Sequence, residues 1–273
     1  MSLLKRTKSL LRLHRISPKK SLSQNFLVEP SIFQRLVESA SLCTNDTVVE
    51  IGAGMGFLTH SLVGKCRAVI AVESDAGLVN VLREQLADAT NVKIIEGDVL
   101  KLKVPTFNKV VSVPPYHISS RLLLWLFRRG FDCAALVFQK EFADRLVASV
   151  ASDNYGWLTV LTYYYAEVEL LDDIPKCMFY PPPKVDSVIV RLEPKKPRPF
   201  TLGNEASFVQ LLKSVFASRN RKVRNAVLPY VKSLRSLTEK GSVGVEETIP
   251  FRNKRVRDLT PEDFGMLANV LNK

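Results

Sequence analysis

The sequence predicts an α/β protein: a mostly parallel sheet covered by helices on both faces, followed by a small helical domain. Three observations carry this prediction. Short apolar runs alternate with helical patterns between residues 31 and 138. A glycine-rich turn, Gly52-Ala53-Gly54-Met55-Gly56, lies where one run gives way to a helix. Beyond residue 200 only helical patterns remain. With 273 residues, 46% of them apolar, the chain can bury a core without disulfides or a metal.

The elements follow in order. Residues 31–41 carry Ile32, Leu36 and Val37 at helical spacing. Residues 47–51 form a short buried strand that enters the glycine turn, and 57–63 form the next helix. A second strand over 68–72 leads to a helix over 76–87. Further strands are expected at 92–95, 108–113 and 134–138, with a helix over 119–129. Pro114 and Pro115 end the fourth strand. Residues 159–170 are partly strand-like, being rich in β-branched and aromatic side chains. A short antiparallel strand is expected over 187–192. Between these two lies the stiff loop Phe179-Tyr180-Pro181-Pro182-Pro183-Lys184. Pro194-Lys195-Lys196-Pro197-Arg198-Pro199 looks like a linker. Helices are expected over 205–216, 222–235 and 261–271. The domain boundaries are therefore a basic arm or helix over 1–29, a main domain over 30–195 and a small helical domain over 196–273.

The charge balance narrows the partners. There are 39 Lys plus Arg against 27 Asp plus Glu, a formal net charge of +12, which argues for a polyanionic partner. Residues 1–28 hold seven of these cations and no acid, and leucines interleave with them. That pattern fits a basic helix facing nucleic acid or an amphipathic targeting segment. No stretch approaches 18 unbroken apolar residues, so no membrane span is expected. Cys43, Cys66, Cys133 and Cys177 are far apart and form no ligand cluster. No metal site is expected, and a reduced, cytoplasmic protein is. There is no Gly-Lys-Ser/Thr phosphate loop, which disfavours ATP or GTP hydrolysis.

The glycine turn could serve a dinucleotide, a nucleoside-sulfonium cofactor or structure alone. Gly52, Gly54 and Gly56 permit a tight turn and close approach of backbone to a ligand. Glu73 ends the second strand about 20 residues beyond the turn, where a carboxylate can accept from both ribose hydroxyls. Asp98 follows the third strand and can accept from a base amino group. Glu50 precedes the turn, unlike the usual dinucleotide pattern. It could orient the loop or answer the cationic end of S-adenosylmethionine. Val113-Pro114-Pro115-Tyr116 places rigid backbone and an aromatic ring at the carboxyl edge of the sheet. Tyr116 could stack on an extruded base while a proline carbonyl accepts from its amine. The plain alternatives are a solvated strand end for either acid and a packed tyrosine in a proline turn.

Several motifs in order resemble the ribosomal RNA adenine dimethyltransferase family, in its archaeal-sized branch. They are Ser23-Gln24-Asn25-Phe26-Leu27, the 50–56 turn with Glu73 and Asp98, Phe138-Gln139-Lys140-Glu141-Phe142-Ala143, the 179–187 loop and the basic 216–225 run. The resemblance spans residues 16–270. It implies a Rossmann-like class I S-adenosylmethionine-dependent methyltransferase fold, with S-adenosylmethionine as cofactor. It also implies dimethylation of two adjacent adenosines near the 3′ end of small-subunit ribosomal RNA, on a pre-ribosomal small subunit. Asn25, Leu27, Gly52, Glu73 and Asp98 take the family's cofactor positions, which makes 1–29 a cofactor-contacting arm. Phe179 takes an aromatic position that lines the base pocket.

One position departs from the pattern. The family's catalytic segment reads Asn, then Leu, Ile or Pro, then Pro-Tyr, and here Val113 replaces the Asn. Asparagine offers a carbonyl acceptor for the target amine and valine offers none. The methylation is then weakened or lost, or the geometry differs. The alternative function is an impaired or inactive assembly factor that binds pre-ribosomal RNA. Ser112, one residue earlier, should face the other way along the strand.

The RNA surface is expected in the small domain. Residues 191–235 contain eleven Lys or Arg against Glu193 and Glu205. Arg219, Arg221, Lys222 and Arg224, taken as part of a helix, are the expected phosphate contacts, with a solvated basic face as the bland reading. With no dimer-forming repeat, a monomer is expected.

Overall fold

The computed structural model describes residues 1–235 and 249–271. The chain divides into two compact units. The first is Met1–Ala143 with Val168–Pro194, and the second is Asp144–Glu167 with Lys195–Lys273. This division differs from the sequence boundaries in two places. The basic arm stands with the first unit, and residues 144–167 stand with the second. Within the expected small domain, residues 236–248 lie outside the described residues.

In the first unit, a seven-stranded sheet has the order β4-β3-β2-β5-β6-β9-β7. The strands are β2 (Thr47–Ile51), β3 (Ala68–Glu73), β4 (Val92–Glu96), β5 (Lys109–Ser112), β6 (Cys133–Gln139), β7 (Ala166–Ile174) and β9 (Ser187–Pro194). The pairs from β4 through β6 are parallel, and β9 joins β6 antiparallel. Every residue of β2 is buried, as a strand covered on both faces requires. Val48, Val69, Val111, Ala135 and Ile189 of the sheet share one core with Leu36 of α2 (Pro30–Ser39) and Leu62 of α3 (Phe57–Leu62). The strand order reverses between β2 and β5. An open sheet leaves a crevice at that point, outside the carboxyl ends of the strands.

The helix starts are set by local chemistry. Pro30 opens α2, where its missing N–H costs nothing. The Asp75 carboxylate caps α4 (Ala76–Gln85) by accepting from the Gly77 N–H at 2.9 Å. The arm forms α1 (Leu3–Leu13), whose Leu11 packs with Met55, Leu78 and Val81. Arg6 of α1 donates to Gln85. Further on, β1 (Phe26–Leu27) pairs antiparallel with β8 (Phe179–Tyr180), so Leu27 lies opposite Phe179. This small ribbon ties the arm to the proline loop.

The second unit is largely helical. Its helices include Trp157–Tyr165, Glu205–Phe216, Val223–Ala226, Leu228–Arg235 and Pro261–Leu271. Two expectations are corrected here. Residues 157–165 are a helix, and the strand begins only at Ala166. Seven of its nine residues are buried, so tertiary burial overrides the β propensity of its valine, threonines and tyrosines. The single helix expected over 222–235 is two helices, and Pro229 sits in the first turn of the second.

Candidate active site

The site is built at the carboxyl ends of β2, β3, β4 and β5. β2 delivers Glu50 and then the turn, where Gly52 has φ of 76° and Gly54 has φ of 57°. A side chain at Gly52 would meet the Pro115 ring at 3.0 Å as well as carrying an unfavourable φ. The turn is held from β3. Gly52 and Ala53 donate to the Val72 carbonyl at 2.8 and 3.1 Å. Glu73, 6% exposed, accepts from the Gly54 N–H at 2.9 Å. Its other oxygen accepts from the N–H groups of Ser74 and Asp75 at 2.8 and 2.9 Å. Glu73 therefore fixes the turn, and its free lone-pair capacity lies on the oxygen that faces Gly54. Burial raises its pKa, and the three N–H donors draw it part of the way back.

Glu50 is 2% exposed, and its Oε2 has no hydrogen-bond partner. Burial, with the like charge of Glu73 adding to it and Thr59 opposing, pushes its carboxyl up to about 8. An orphaned buried acid beside a glycine cradle fits a ligand that brings a positive charge close to Glu50. Asp98 stands after β4, and its Oδ1 accepts from the Leu100 N–H at 3.0 Å. It lines a cavity of about 140 Å3 together with Gly52, Ser74 and Pro115.

β5 ends in Ser112 and Val113. The Ser112 hydroxyl donates to the Ile51 carbonyl at 2.6 Å and accepts from the Ile51 N–H at 3.3 Å. It clamps β5 to β2 and takes no part in the cavity. Val113 faces the other way, packing on the core while lining the same cavities as the turn. The Tyr116 hydroxyl bonds with Ser187 at 2.7 Å, and burial pushes it up to about 12. A cavity of about 50 Å3 is lined by Asn25, Gly52, Gly54, Glu73, Val113 and Tyr116, among others. The glycine turn and the Pro-Pro-Tyr segment thus open into one space. Asn25 donates to the Ser23 carbonyl at 3.1 Å, and Leu27 lines the neighbouring cavity beside Glu50.

Phe179 lies deeper than a loop aromatic would suggest. It is 3% exposed and meets Tyr116 edge-on at 6.5 Å, so it backs that ring from the core. Gly56 is likewise a packing position, since a side chain there would meet Leu82 at 2.8 Å.

The basic run in the second unit is also corrected. Residues 219–222 are a turn and a bridge, with Lys222 opposite Arg255, and not a helix. The Arg219 guanidinium donates to the carbonyls of Ser152, Asp153 and Tyr155 at 2.7 to 3.1 Å, so it is spent on the fold. Arg221, Lys222 and Arg224 are exposed, and Arg224 donates to Asn253 at 3.2 Å. The 219–224 run lies along a second basic stretch, Arg252, Lys254 and Arg255, through backbone bonds such as Val223 N–H to the Lys254 carbonyl at 2.9 Å. Sequence reasoning missed that stretch, although its charge density was visible. Among the described residues, no cluster of His, Cys, Asp or Glu is placed to hold a metal ion, and no helix is long and apolar enough to cross a membrane.

A strand-end acid bracing a glycine turn, a second acid one strand along and an antiparallel strand closing a parallel sheet do not suit hydride transfer, for which no constellation is present among the described residues. Together they define an S-adenosylmethionine-dependent methyltransferase. The family model for ribosomal RNA adenine dimethylase matches residues 15–272, and the chain belongs to that family. It is 41% identical over 248 residues to a Methanosarcina mazei protein named as a probable ribosomal RNA small subunit methyltransferase A, covering 91% of each chain. Among solved structures, it is similar to a dimethyladenosine transferase from Plasmodium falciparum, with a TM-score of 0.75 and 31% identity. That match covers 88% of this chain and 94% of the other. It is also similar to the 23S rRNA methyltransferase ErmE, with a TM-score of 0.63 and 26% identity over 91% of this chain and all of the other.

Proposed function

We propose that this chain methylates the exocyclic amines of two adjacent adenosines near the 3′ end of small-subunit ribosomal RNA, acting on the pre-ribosomal particle. The supporting observation is the single cavity that joins the Gly52 turn to Tyr116. When bound, S-adenosylmethionine supplies an electrophilic methyl carbon on a cationic sulfur. The chain's own residues bind and orient. Gly52 and Gly54 let the backbone approach the cofactor. The open lone pair of Glu73 is directed to a ribose hydroxyl, and Asp98 is directed to the adenine amine. Glu50 answers the cationic end. Asn25 and Leu27 cover the site from the arm. Tyr116 offers a ring face to the target base, and the Pro114 carbonyl accepts from its amine, holding the nitrogen lone pair in line. Exposed Arg221, Lys222 and Arg224 take RNA phosphates. The chain works as a cytoplasmic monomer away from membranes.

Val113 favours a second reading, an assembly factor that binds the particle with little or no turnover. Its side chain brings no polar atom into the cavity where an amine must be held. Loss of one acceptor at a desolvated amine costs about 1–3 kcal/mol, roughly tenfold to a hundredfold in rate. Incubation of immature small subunits with labelled methyl donor separates the two. Label in adenine is expected for the enzyme. Co-sedimentation without label above a cofactor-free control supports the assembly factor.

A further inference from the structure

We propose that Lys20 and Lys184 form a phosphodiester clamp across the cleft beside Tyr116, holding the backbone phosphates that flank the presented adenosine. This rests on the proposed function and refines how that site takes its substrate. The cleft, about 640 Å3, is far larger than the cavities behind it. Its walls come from Pro18, Lys20, residues 23–25, Tyr116, His117, Gln139 and the loop over 181–184.

Its charge is one-sided. No Asp or Glu lines it, and apart from His117 its other polar walls are the amides of Gln24, Asn25 and Gln139 and the hydroxyls of Ser23 and Tyr116. Burial and the Arg121 charge lower the pKa of His117, with Asp98 opposing, so its charged form is disfavoured. Lys20 and Lys184 are exposed, and neither has an ion pair among the described residues. Their neighbours differ. Lys19 is paired with Asp75 at 2.8 Å, and Lys140 with Asp173 at 2.6 Å. Asp186, the acid nearest Lys184 in sequence, accepts from the Lys176 N–H at 2.8 Å and does not line the cleft. Two uncompensated ammonium groups over an acid-free cleft draw an anion in.

Both lysines hang from fixed backbone. Lys20 opens a short turn closed by the Ser23 N–H to the Lys20 carbonyl at 3.0 Å. The turn is anchored by the Lys19 N–H to Gln24 at 2.7 Å and by the Lys19–Asp75 pair. Lys184 follows three prolines, whose rings restrict the chain. An ammonium is a point charge with rotatable donors, suited to phosphate without base identity. Single-stranded RNA, with its base turned into the cleft, presents such phosphates on either side.

The test uses the full chain and an RNA hairpin whose single-stranded loop carries two adjacent adenosines. Affinity is measured against salt concentration for the wild type, K20A/K184A and K20R/K184R. The alanine pair is expected to flatten the log–log salt slope by about 1.4, from two lost phosphate contacts on single-stranded RNA. The arginine pair is expected to keep the wild-type slope. Binding of S-adenosylhomocysteine should not change in either variant, which also reports an intact fold. A second hairpin carries neutral methylphosphonate linkages on both sides of the adenosines. The wild type should bind it more weakly than the normal hairpin, and the alanine pair should bind the two alike. An unchanged slope in the alanine pair, or equal binding of both hairpins by the wild type, overturns the clamp. These readings need no methyl transfer, so absent methylation of small subunits would remove the proposed activity and leave the clamp standing.

Discussion

At the scale of single residues, Val113 and Glu50 make the sharpest demands. Val113 sits where its side chain meets both the core and the cavity, so a polar replacement would reach the same space. Val113→Asn is expected to raise the rate of adenine methylation about tenfold or more, in line with the worth of one buried acceptor. Equal rates would show that the amine is held elsewhere. Glu50 binds its proton up to about pH 8 in the folded chain and near its ordinary value when unfolded. Between those values the folded state holds the extra proton, so stability falls as pH rises, by up to about 1.4 kcal/mol per pH unit. Denaturant unfolding across that window should show the slope in the wild type and lose it in Glu50→Gln. A cation seated beside the carboxylate would also favour the charged form. Affinity for S-adenosylmethionine should then climb as pH rises toward 8, and calorimetry should find Glu50→Gln nearly flat.

At the scale of elements, the turn after β2 depends on backbone freedom and on Glu73. Gly52→Ala places a methyl group 3.0 Å from the Pro115 ring at a φ of 76°. The expected cost is about 1–2 kcal/mol of stability, together with weaker cofactor binding in calorimetry. The strands of the first unit were legible because they are short, apolar and punctuated by Gly and Pro. The acids at their ends could be read for the same reason, since strand ends fix where side chains emerge. The helix over 157–165 was hidden, because its buried threonines, valine and tyrosines carry strand propensity and only tertiary packing decides between the two. The burial of Phe179 was hidden for a related reason. Sequence shows an aromatic in a proline loop, and only the pairing with Leu27 shows that it points into the core. Lys20 and Lys184, 164 positions apart in the chain, gave no joint signal until one cleft contained them both.

At the scale of the whole molecule, the surplus of 39 cations over 27 acids divides into groups with different work. Arg219 holds three carbonyls. Arg219→Ala is expected to lower the melting temperature while leaving the salt dependence of RNA binding near that of the wild type. Replacing Arg221, Lys222 and Arg224 together is expected to do the reverse, with a flatter salt slope and little change in melting temperature. Swapped outcomes would reassign both groups.

The short stretch from Leu22 to Asn25 is a party wall. Leu22, Ser23, Gln24 and Asn25 all line the small cavities on the cofactor side, and Ser23, Gln24 and Asn25 line the large cleft as well. Neither tenant can push on that wall without the other feeling it. Their affinities are therefore expected to be linked, with the same factor in both directions. Titrating the hairpin with and without S-adenosylhomocysteine would measure that factor, and titrating S-adenosylhomocysteine with and without the hairpin should return it.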